Sequence, residues 1–580
     1  MTNKDIVRAL GETADLIELT GGNRYRANAF NRAARALKGL DAEIAEALDN
    51  GTLTDIDGIG SGMADHIADL VQTGSFELRD ELQSAVPPGL LDVLRVKGLG
   101  TKRARTLWRE LDVTSLDELE QAALADRITS LSGFGAKTQE KILKNVRLLR
   151  RYNAQRRYAD ARSDLQPLLD ALRAEPGIDR AELAGPVRRR LETVEEADLL
   201  VAGAEEAVET VLAEHLDNPS TAEVPLSDEN LGNDEAALRP AVSGSLPSGL
   251  SVTVTRTTTD RFGTDWWLRT GSAEHVAAVR DHASASGNGT LLDDPVADEA
   301  ALYEAADLPT IPPELREGRG EVDAAAAGAL PALLTTSELR GSLHNHSTYS
   351  DGAHSLRDMA ETARDMGLSY FGICDHSQSL QVADGMTADE VKEQQEEIRT
   401  LNEEFATRDR PFRIFSGIES DILKDGSLDY EEDVLESFDF VVASVHTGFN
   451  MTESEATERV VRAVENPHTR ILGHPTGRLL LVREGYPLDH ERVIDACAEH
   501  DVAIELNANP YRLDLDWRYV RQATEAGVLI SINPDAHATG ELEYVRWGVA
   551  VARKGWLTAA NCLNAKSLTE FTEWIEGPSA

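Results

Sequence analysis

The sequence predicts a multidomain chain, with a helical region at the N-terminus and a barrel of alternating strands and helices at the C-terminus. Three observations lead there. A motif with two glycines ahead of a helix occurs three times between Gly58 and Gly135. From Leu339 onward, short apolar runs alternate with helical patterns, and run after run ends in a histidine or an acid. At 580 residues the chain is longer than one hydrophobic core usually serves.

Composition narrows the class. Hydrophobic residues make up 41% of the chain, enough for sizeable cores. Acidic residues number 101 against 58 basic ones, for a formal net charge of -43. Apolar periodicity persists throughout, so this is not the acidity of a disordered chain. It points to a halophilic source, where acidic surfaces keep protein soluble; an ordinary acidic protein is the alternative. Cys374, Cys497 and Cys562 sit in strand or helix patterns, with neither metal-type spacing nor a disulfide framework. The opening MTNKDIVRALGE is polar and helical, unlike a signal peptide, and no apolar run approaches membrane-span length. A cytoplasmic, reduced, monomeric protein without a membrane partner is expected.

The first residues read as two helices, DIVRALGETADLIEL and GGNRYRANAFNRAARALKGL. The second carries Arg24, Arg26, Arg32, Arg35 and Lys38, either as a solvated face or as a phosphate-contacting one. The repeated motif follows as IDGIGSGMADHI (Gly58, Gly60), VKGLGTKRARTL (Gly98, Gly100) and LSGFGAKTQEKI (Gly133, Gly135). It resembles the helix-hairpin-helix module. Glycines there permit a tight turn, and backbone N–H groups at a helix N-terminus meet a phosphate whatever the base sequence. Lys102, Arg103 and Lys137 stand behind the second and third copies, and Lys141, Lys144, Arg147, Arg150, Arg151, Arg156 and Arg157 extend the basic stripe. Residues 1–158 are therefore expected to bind DNA.

In the C-terminal part the strands are YFGIC, FRIFSGI, FDFVVAS, RILG, VAIELNAN and VLISIN, with one more before HNHSTYSD, about seven in all. Helices are expected over 355–366, 388–405, 453–464, 491–500 and 517–526. Chemistry in a β/α barrel sits at the C-terminal strand ends. Here those ends carry His344, His346, Asp351, Asp375, His376, Glu419, Asp421, His446, His474, Asp535 and His537. Of 14 histidines, ten lie between His344 and His537, which disfavours scatter. Imidazole and carboxylate together suit zinc, manganese or iron, and the candidates are too many for one tetrahedral zinc. Two or three divalent ions, Mn2+ or Zn2+, fit better; such clusters polarise a phosphoryl oxygen and supply hydroxide near neutral pH.

HNH, D, DH, E, H, H and DAH in this order resemble the PHP (polymerase and histidinol phosphatase) domain, a distorted (β/α)7 barrel with a trinuclear site. The resemblance covers roughly Leu339 to Phe571, within a metal-dependent phosphoesterase domain expected over 339–580. It implies that His344, His346, Glu419 and Asp535 hold one ion. Glu419 would bridge to a second held by His446 and His474, and Asp351, His376 and His537 would hold the third. Arg478, shortly after His474, is either a surface arginine or a stabiliser of charge on the phosphoryl group.

Between hairpins and barrel, residues 159–318 include ELAGPVRRRLETVEEADLLVAG, LRTGSAEH and LPTIPPELREGRGEVDAA. These resemble the α+β palm and thumb of PHP-bearing family X DNA polymerases, and 319–338 would be a linker. The departures are as informative. Nucleotidyl transfer needs two Mg2+ or Mn2+ ions on three carboxylates. The family's Asp-x-Asp is here Glu196 and Asp198, and Ser251 stands where the third acid is expected; Asp260 and Asp265 are the other candidates. Gly185-Pro186 replaces the Gly-Ser that grips the triphosphate beside Arg188. Leu268-Arg269 replaces Tyr-Phe before Thr270, Gly271 and Ser272, and His66 stands at the lyase lysine position. The stretch from Asp217 to Ala237 is expected to be an acidic loop.

The sequence therefore points to a metal-dependent phosphoesterase acting on gapped, nicked, abasic or 3′-end DNA in base-excision repair, with a decayed polymerase site. The alternatives are a working gap-filling polymerase with a proofreading exonuclease, a histidinol-phosphatase-like enzyme, and a non-catalytic DNA-binding scaffold.

Overall fold

The computed structural model describes residues 3–38, 44–56, 58–226, 238–287 and 295–576. Chain contacts separate residues 1–154 from 155–580.

In the first unit, helices Asn3–Thr20 and Arg24–Lys38 pack through Ile6, Leu10, Ile17, Phe30 and Leu37. The three glycine motifs then adopt one geometry. The first glycine of each has positive φ, +91° at Gly58, +95° at Gly98 and +87° at Gly133, which a β-carbon disfavours. The apolar residue after it (Ile59, Leu99, Phe134) is buried, anchoring the turn. The second glycine is exposed and begins a helix: Ser61–Thr73, Thr101–Leu111 or Ala136–Asn153. His66 lies in the first of these, clustered with the rings of Phe30 and Phe76, which also stack on each other.

The second unit begins with β1 (Arg156–Arg157), paired antiparallel to β3 (Thr193–Val194). This corrects the expected continuation of the basic stripe: Arg156 and Arg157 belong to the second unit. The remaining strands here are β2 (Ile178–Ala184), β4 (Glu196–Gly203), β5 (Asp217–Pro225), β6 (Leu238–Ser245) and β7 (Ser251–Thr257). They form a sheet of order β2-β4-β7-β6-β5, with only β4 and β7 parallel. Helices Tyr158–Ala174 and Glu205–His215 cover one face through Leu165, Leu169, Val208 and Leu212. The expected acidic loop is corrected in its first half. Asp217–Pro225 is an exposed edge strand, where charge and proline are tolerated because one side of the ladder faces water. Its second half, 227–237, lies outside the described residues. The stretch 319–338 is anchored at two points. Helix Glu321–Ala326 buries Glu321 against His275, and the Leu334 N–H donates to the Leu557 carbonyl at 2.9 Å.

The barrel strands are β8 (Gly341–Ser342), β9 (Tyr370–Ile373), β10 (Arg413–Asp421), β11 (Phe440–Ser444), β12 (Thr469–Leu472), β13 (Ala503–Asn507) and β14 (Ile530–Asn533). They run in sequence order and all in parallel, forming a seven-stranded sheet. A bridge between Asn345 and Ala536 brings its two edges together beyond β8 and β14, so the barrel is nearly closed. Near-continuous apolar strands suit a parallel sheet buried on both faces. Helices Leu356–Asp365, Ala388–Ala406, Glu453–Val464, His490–Glu499 and Trp517–Glu525 alternate with them, several started by capping residues such as Ser355, Thr387 and Thr452.

Candidate metal centre

The closing of the barrel brings the strand ends to one place, and Glu419 near the end of β10 is its centre. Its Oε1 lies 3.3 Å from His344 Nε2, 3.2 Å from His446 Nε2 and 3.0 Å from His474 Nε2, and its Oε2 lies 2.8 Å from His376 Nδ1. Asp535 Oδ1 is 3.2 Å from His346 Nε2. Asp351 Oδ1 is 3.3 Å from His537 Nε2 and 3.5 Å from His376 Nε2. Three groupings could each hold an ion: His344, His346 and Asp535; His376, Glu419 and His446; His346, Asp351, His376 and His537.

The chemistry of these groups fits metal binding. His344 Nε2 and both oxygens of Glu419 are buried without a hydrogen-bond partner, which is costly unless another group takes up the lone pairs. Burial opposes the charge on Glu419, but the nearby His446, His344 and His376 outweigh it and hold the carboxyl well below the usual range. Asp535 behaves likewise, with His344, His346, His537 and Arg512 overcoming burial.

A surrounding layer fixes the imidazoles. Glu505 on β13 lies 3.1 Å from His344 Nδ1 and accepts the His474 N–H. Asp421 lies 2.5 Å from His446 Nδ1, and Asn507 donates to Asp535 at 3.0 Å. Asp375 accepts hydrogen bonds from Ser347, Ser350 and Gln394. A carboxylate on one ring nitrogen leaves the other as a lone-pair donor. Sequence reasoning missed Glu505 and Asn507, although an acid inside the apolar run VAIELNAN was a signal.

Arg478, for which the sequence left a surface role and a phosphoryl-stabilising role open, is engaged by the loop after β13. Its guanidinium donates to the Arg512 carbonyl at 3.0 Å, to the Leu513 carbonyl and to Asp516 at 3.0 Å. The cation that reaches the cluster is Arg512, whose Nε lies 3.4 Å from Asp535 Oδ2. It stands on a loop, where no periodic pattern marked it.

The palm-like sheet presents a different arrangement. Glu196 and Asp198 share a face of β4, and the parallel register sets Glu196 level with Ser251 and Asp198 level with Thr253. The residue beside Asp198 is therefore Thr253; its hydroxyl donates to Glu196. Asp265 is engaged elsewhere, by Arg239 and Thr257, and Asp260 is exposed. Arg269 donates to Asp198 at 2.5 Å. Burial raises the Asp198 carboxyl to about 6, with Arg269 opposing that shift. Gly185, at φ +55°, packs so closely that a β-carbon would meet Asp198 Oδ2 at 2.1 Å. The three arginines of VRRR are each paired: Arg188 with Glu299, Arg189 with Glu317 and Arg190 with Glu314. Ser272, after Gly271, caps helix Ala273–Ala285.

Comparison with known proteins agrees with this layout. Residues 1–76 match a helix-hairpin-helix domain, 90–147 a SAM-like helix-hairpin-helix tandem, and 342–509 the PHP domain. Over 588 aligned residues the chain is 36% identical to the DNA polymerase/3′-5′ exonuclease PolX of Bacillus subtilis (strain 168), covering 99% of this chain and 100% of that one. The chain belongs to the PolX family. About a quarter to a third of this PolX-type chain has further relatives. A probable phosphatase of Acetivibrio thermocellus is 28% identical over 208 residues, 34% of this chain and 80% of its own. One of Thermoanaerobacter sp. (strain X514) is 28% identical over 161 residues, 26% of this chain and 63% of its own. Among the described residues of the chain, no helix is long and apolar enough to cross a membrane.

Proposed function

We propose that the barrel hydrolyses DNA phosphoester bonds as a 3′-5′ exonuclease and 3′-end or abasic-site processing activity, and that the palm no longer extends primers. The observation that carries this reading is the contrast at two carboxylates: Glu419 is surrounded by the imidazoles of His344, His376, His446 and His474, and Asp198 is held by Arg269. His344, His346, Glu419 and Asp535 would hold one ion, Glu419, His446 and His474 a second, and Asp351, His376 and His537 a third. Bound Mn2+ or Zn2+ polarises a phosphoryl oxygen and makes a hydroxide nucleophile available near neutral pH. Glu505 and Asp421 keep His344 and His446 oriented, and Asn507 fixes Asp535. Arg512 faces the charge that develops on the phosphoryl group.

The glycine hairpins, with Lys102, Arg103, Lys137, Arg24 and Arg26, would hold the backbone of gapped, nicked or abasic duplexes. Base-excision repair by a monomer in the cytoplasm of a halophilic organism fits this set, the last supported by the net charge of -43. A second reading is a working gap-filling polymerase with a proofreading exonuclease. Full-length similarity to a named DNA polymerase favours it, as does the survival of Glu196 and Asp198 on one strand face. A labelled gapped duplex incubated with Mn2+, with and without deoxynucleotides, separates the two. Shortening of the primer in both arms supports the first reading, and lengthening with nucleotides supports the second.

A further inference from the structure

Arg512 reaches the metal cluster from the loop after β13, and residues near the palm grip that loop. The guanidinium of Arg157 on β1 lies over the Tyr511 ring, 3.6 Å from its centroid. It is itself oriented by Asp160, to which its Nε donates at 2.7 Å. Glu192, just before β3, holds the start of the helix that ends the loop, Trp517–Glu525, accepting from Trp517 Nε1 and from Arg518, both at 3.0 Å. The pairing of β1 with β3 and the Tyr158 N–H donated to the Glu192 carbonyl bind Arg157 and Glu192 into one rigid piece. From the other side Arg478 holds the carbonyls of Arg512 and Leu513, and Asp514 accepts from Thr476, two residues after His474.

The loop thus has a barrel-side support and a palm-side support, with Arg512 between them. A stacked guanidinium fixes an aromatic ring in position as well as in plane. A catalytic cation misplaced by even about 1 Å loses much of its effect. We infer that Arg157 and Glu192 are positioning residues for the phosphoesterase site: the palm-side clamp sets Arg512 at the cluster. A palm without nucleotidyl transfer would then still serve the hydrolase in the same chain. This inference rests on the phosphoesterase reading given above.

The test is a double-mutant cycle in the full chain. The substrate is a chromogenic phosphodiester, bis(p-nitrophenyl) phosphate with Mn2+, too small to depend on the hairpins. Arg157→Ala and Glu192→Ala should each lower kcat/KM by roughly 5- to 20-fold, a range expected of groups that act through another. Arg157→Lys, which keeps a cation over the ring, should recover part of the loss. In an Arg512→Ala background, Arg157→Ala should cost less than twofold more, because the residue it positions is gone. The second readout is the affinity of the Mn2+-loaded protein for inorganic phosphate. It should weaken in Arg157→Ala as in Arg512→Ala, with Tm within a few degrees of the parent. Full additivity with Arg512→Ala, or unchanged kcat/KM in both clamp variants, would overturn the inference. So would loss of activity in Arg157→Ala with phosphate affinity intact. Absence of hydrolysis by the unaltered protein would instead overturn the phosphoesterase reading, and this inference with it.

Discussion

Glu419 in the barrel is buried and Asp198 in the palm half-buried, and both are carboxylates on the strands of a β-sheet, yet their neighbours give them opposite properties. Around Glu419 stand imidazoles, which offer lone pairs when neutral and can join the carboxylate in holding a cation. Beside Asp198 stands Arg269, which has donors only and remains charged. Arginine occupies the electrostatic place of a metal without its coordination chemistry. On the proposed reading, the identity of the counter-charge, more than the acid itself, decides whether a carboxylate serves metals.

The largest expected effect tests the barrel side of that comparison. Glu419→Ala removes the acid shared by His344, His376, His446 and His474 and should lower hydrolysis of a labelled gapped duplex by ~10³-fold or more. Asp198→Ala should change it less than about twofold, since Asp198 touches Gly185 and Arg269 rather than the barrel cluster. A nuclease killed equally by both changes would erase the contrast.

The palm side is tested by restoration. In a Glu419→Ala background, which removes degradation, the protein should extend a primer weakly or not at all. A missing third carboxylate alone is worth a factor of ~10² to 10³ in rate. Register sets position 253 level with Asp198, and the family resemblance places the missing acid at 251. Thr253→Asp with Arg269→Phe and Pro186→Ser should therefore raise extension more than Ser251→Asp with the same two changes. Efficient extension by the Glu419→Ala protein without these restorations would show that Arg269 does not close the site.

Much of this was legible in sequence because the relevant signals are local. His344, His376, His446, His474 and His537 follow apolar runs, and strand ends in a parallel barrel must converge. The three hairpins were legible because Gly58, Gly98 and Gly133 answer a backbone demand that only glycine meets easily. What escaped was set by contacts distant in sequence. Arg512 and Arg478 are similar in pattern, and only the path of the 509–516 loop decides which one reaches Asp535. The pairing of Arg269 with Asp198 spans 71 residues and left no periodic trace. Asp217–Pro225 has the pattern of a loop because an exposed edge strand lacks the apolar alternation that marks a strand.

The palm's arginines give a third test. Glu299 is buried between Arg188 and Arg316, and although burial alone raises a carboxyl, these two guanidinium groups bring Glu299 down to about 2. Its folded value lies below the unfolded one, so the contribution to stability is full above the unfolded pKa. It is lost as pH falls from about 4.5 toward about 2, and amounts to about 3 kcal/mol. Glu299→Gln should lower Tm at pH 7, and its Tm should fall less than the parent's between pH 5 and pH 3. Parallel Tm-versus-pH curves would mean that the palm arginines are not committed to structure.

The smallest effect concerns the cations of the hairpin unit, where the same distinction between paired and available charge applies. Lys102 and Lys137 are exposed in the first turns of the helices that follow Gly100 and Gly135. Arg150 is already held by Glu120 at 2.6 Å and by Asp117. A side chain that meets a phosphate releases condensed counterions, so each such contact adds roughly 0.9 to the slope of log affinity against log salt. Lys102→Ala and Lys137→Ala should each weaken binding to a gapped duplex several-fold at low salt and reduce that slope by about one. Arg150→Ala should leave the slope nearly unchanged, because a guanidinium shared by two carboxylates has no counterion to exchange for DNA. Fluorescence anisotropy across a KCl series reads all three. Equal slope changes in all three variants would show that Arg150 leaves its carboxylates for DNA, and that pairing in the free protein does not decide which cations bind.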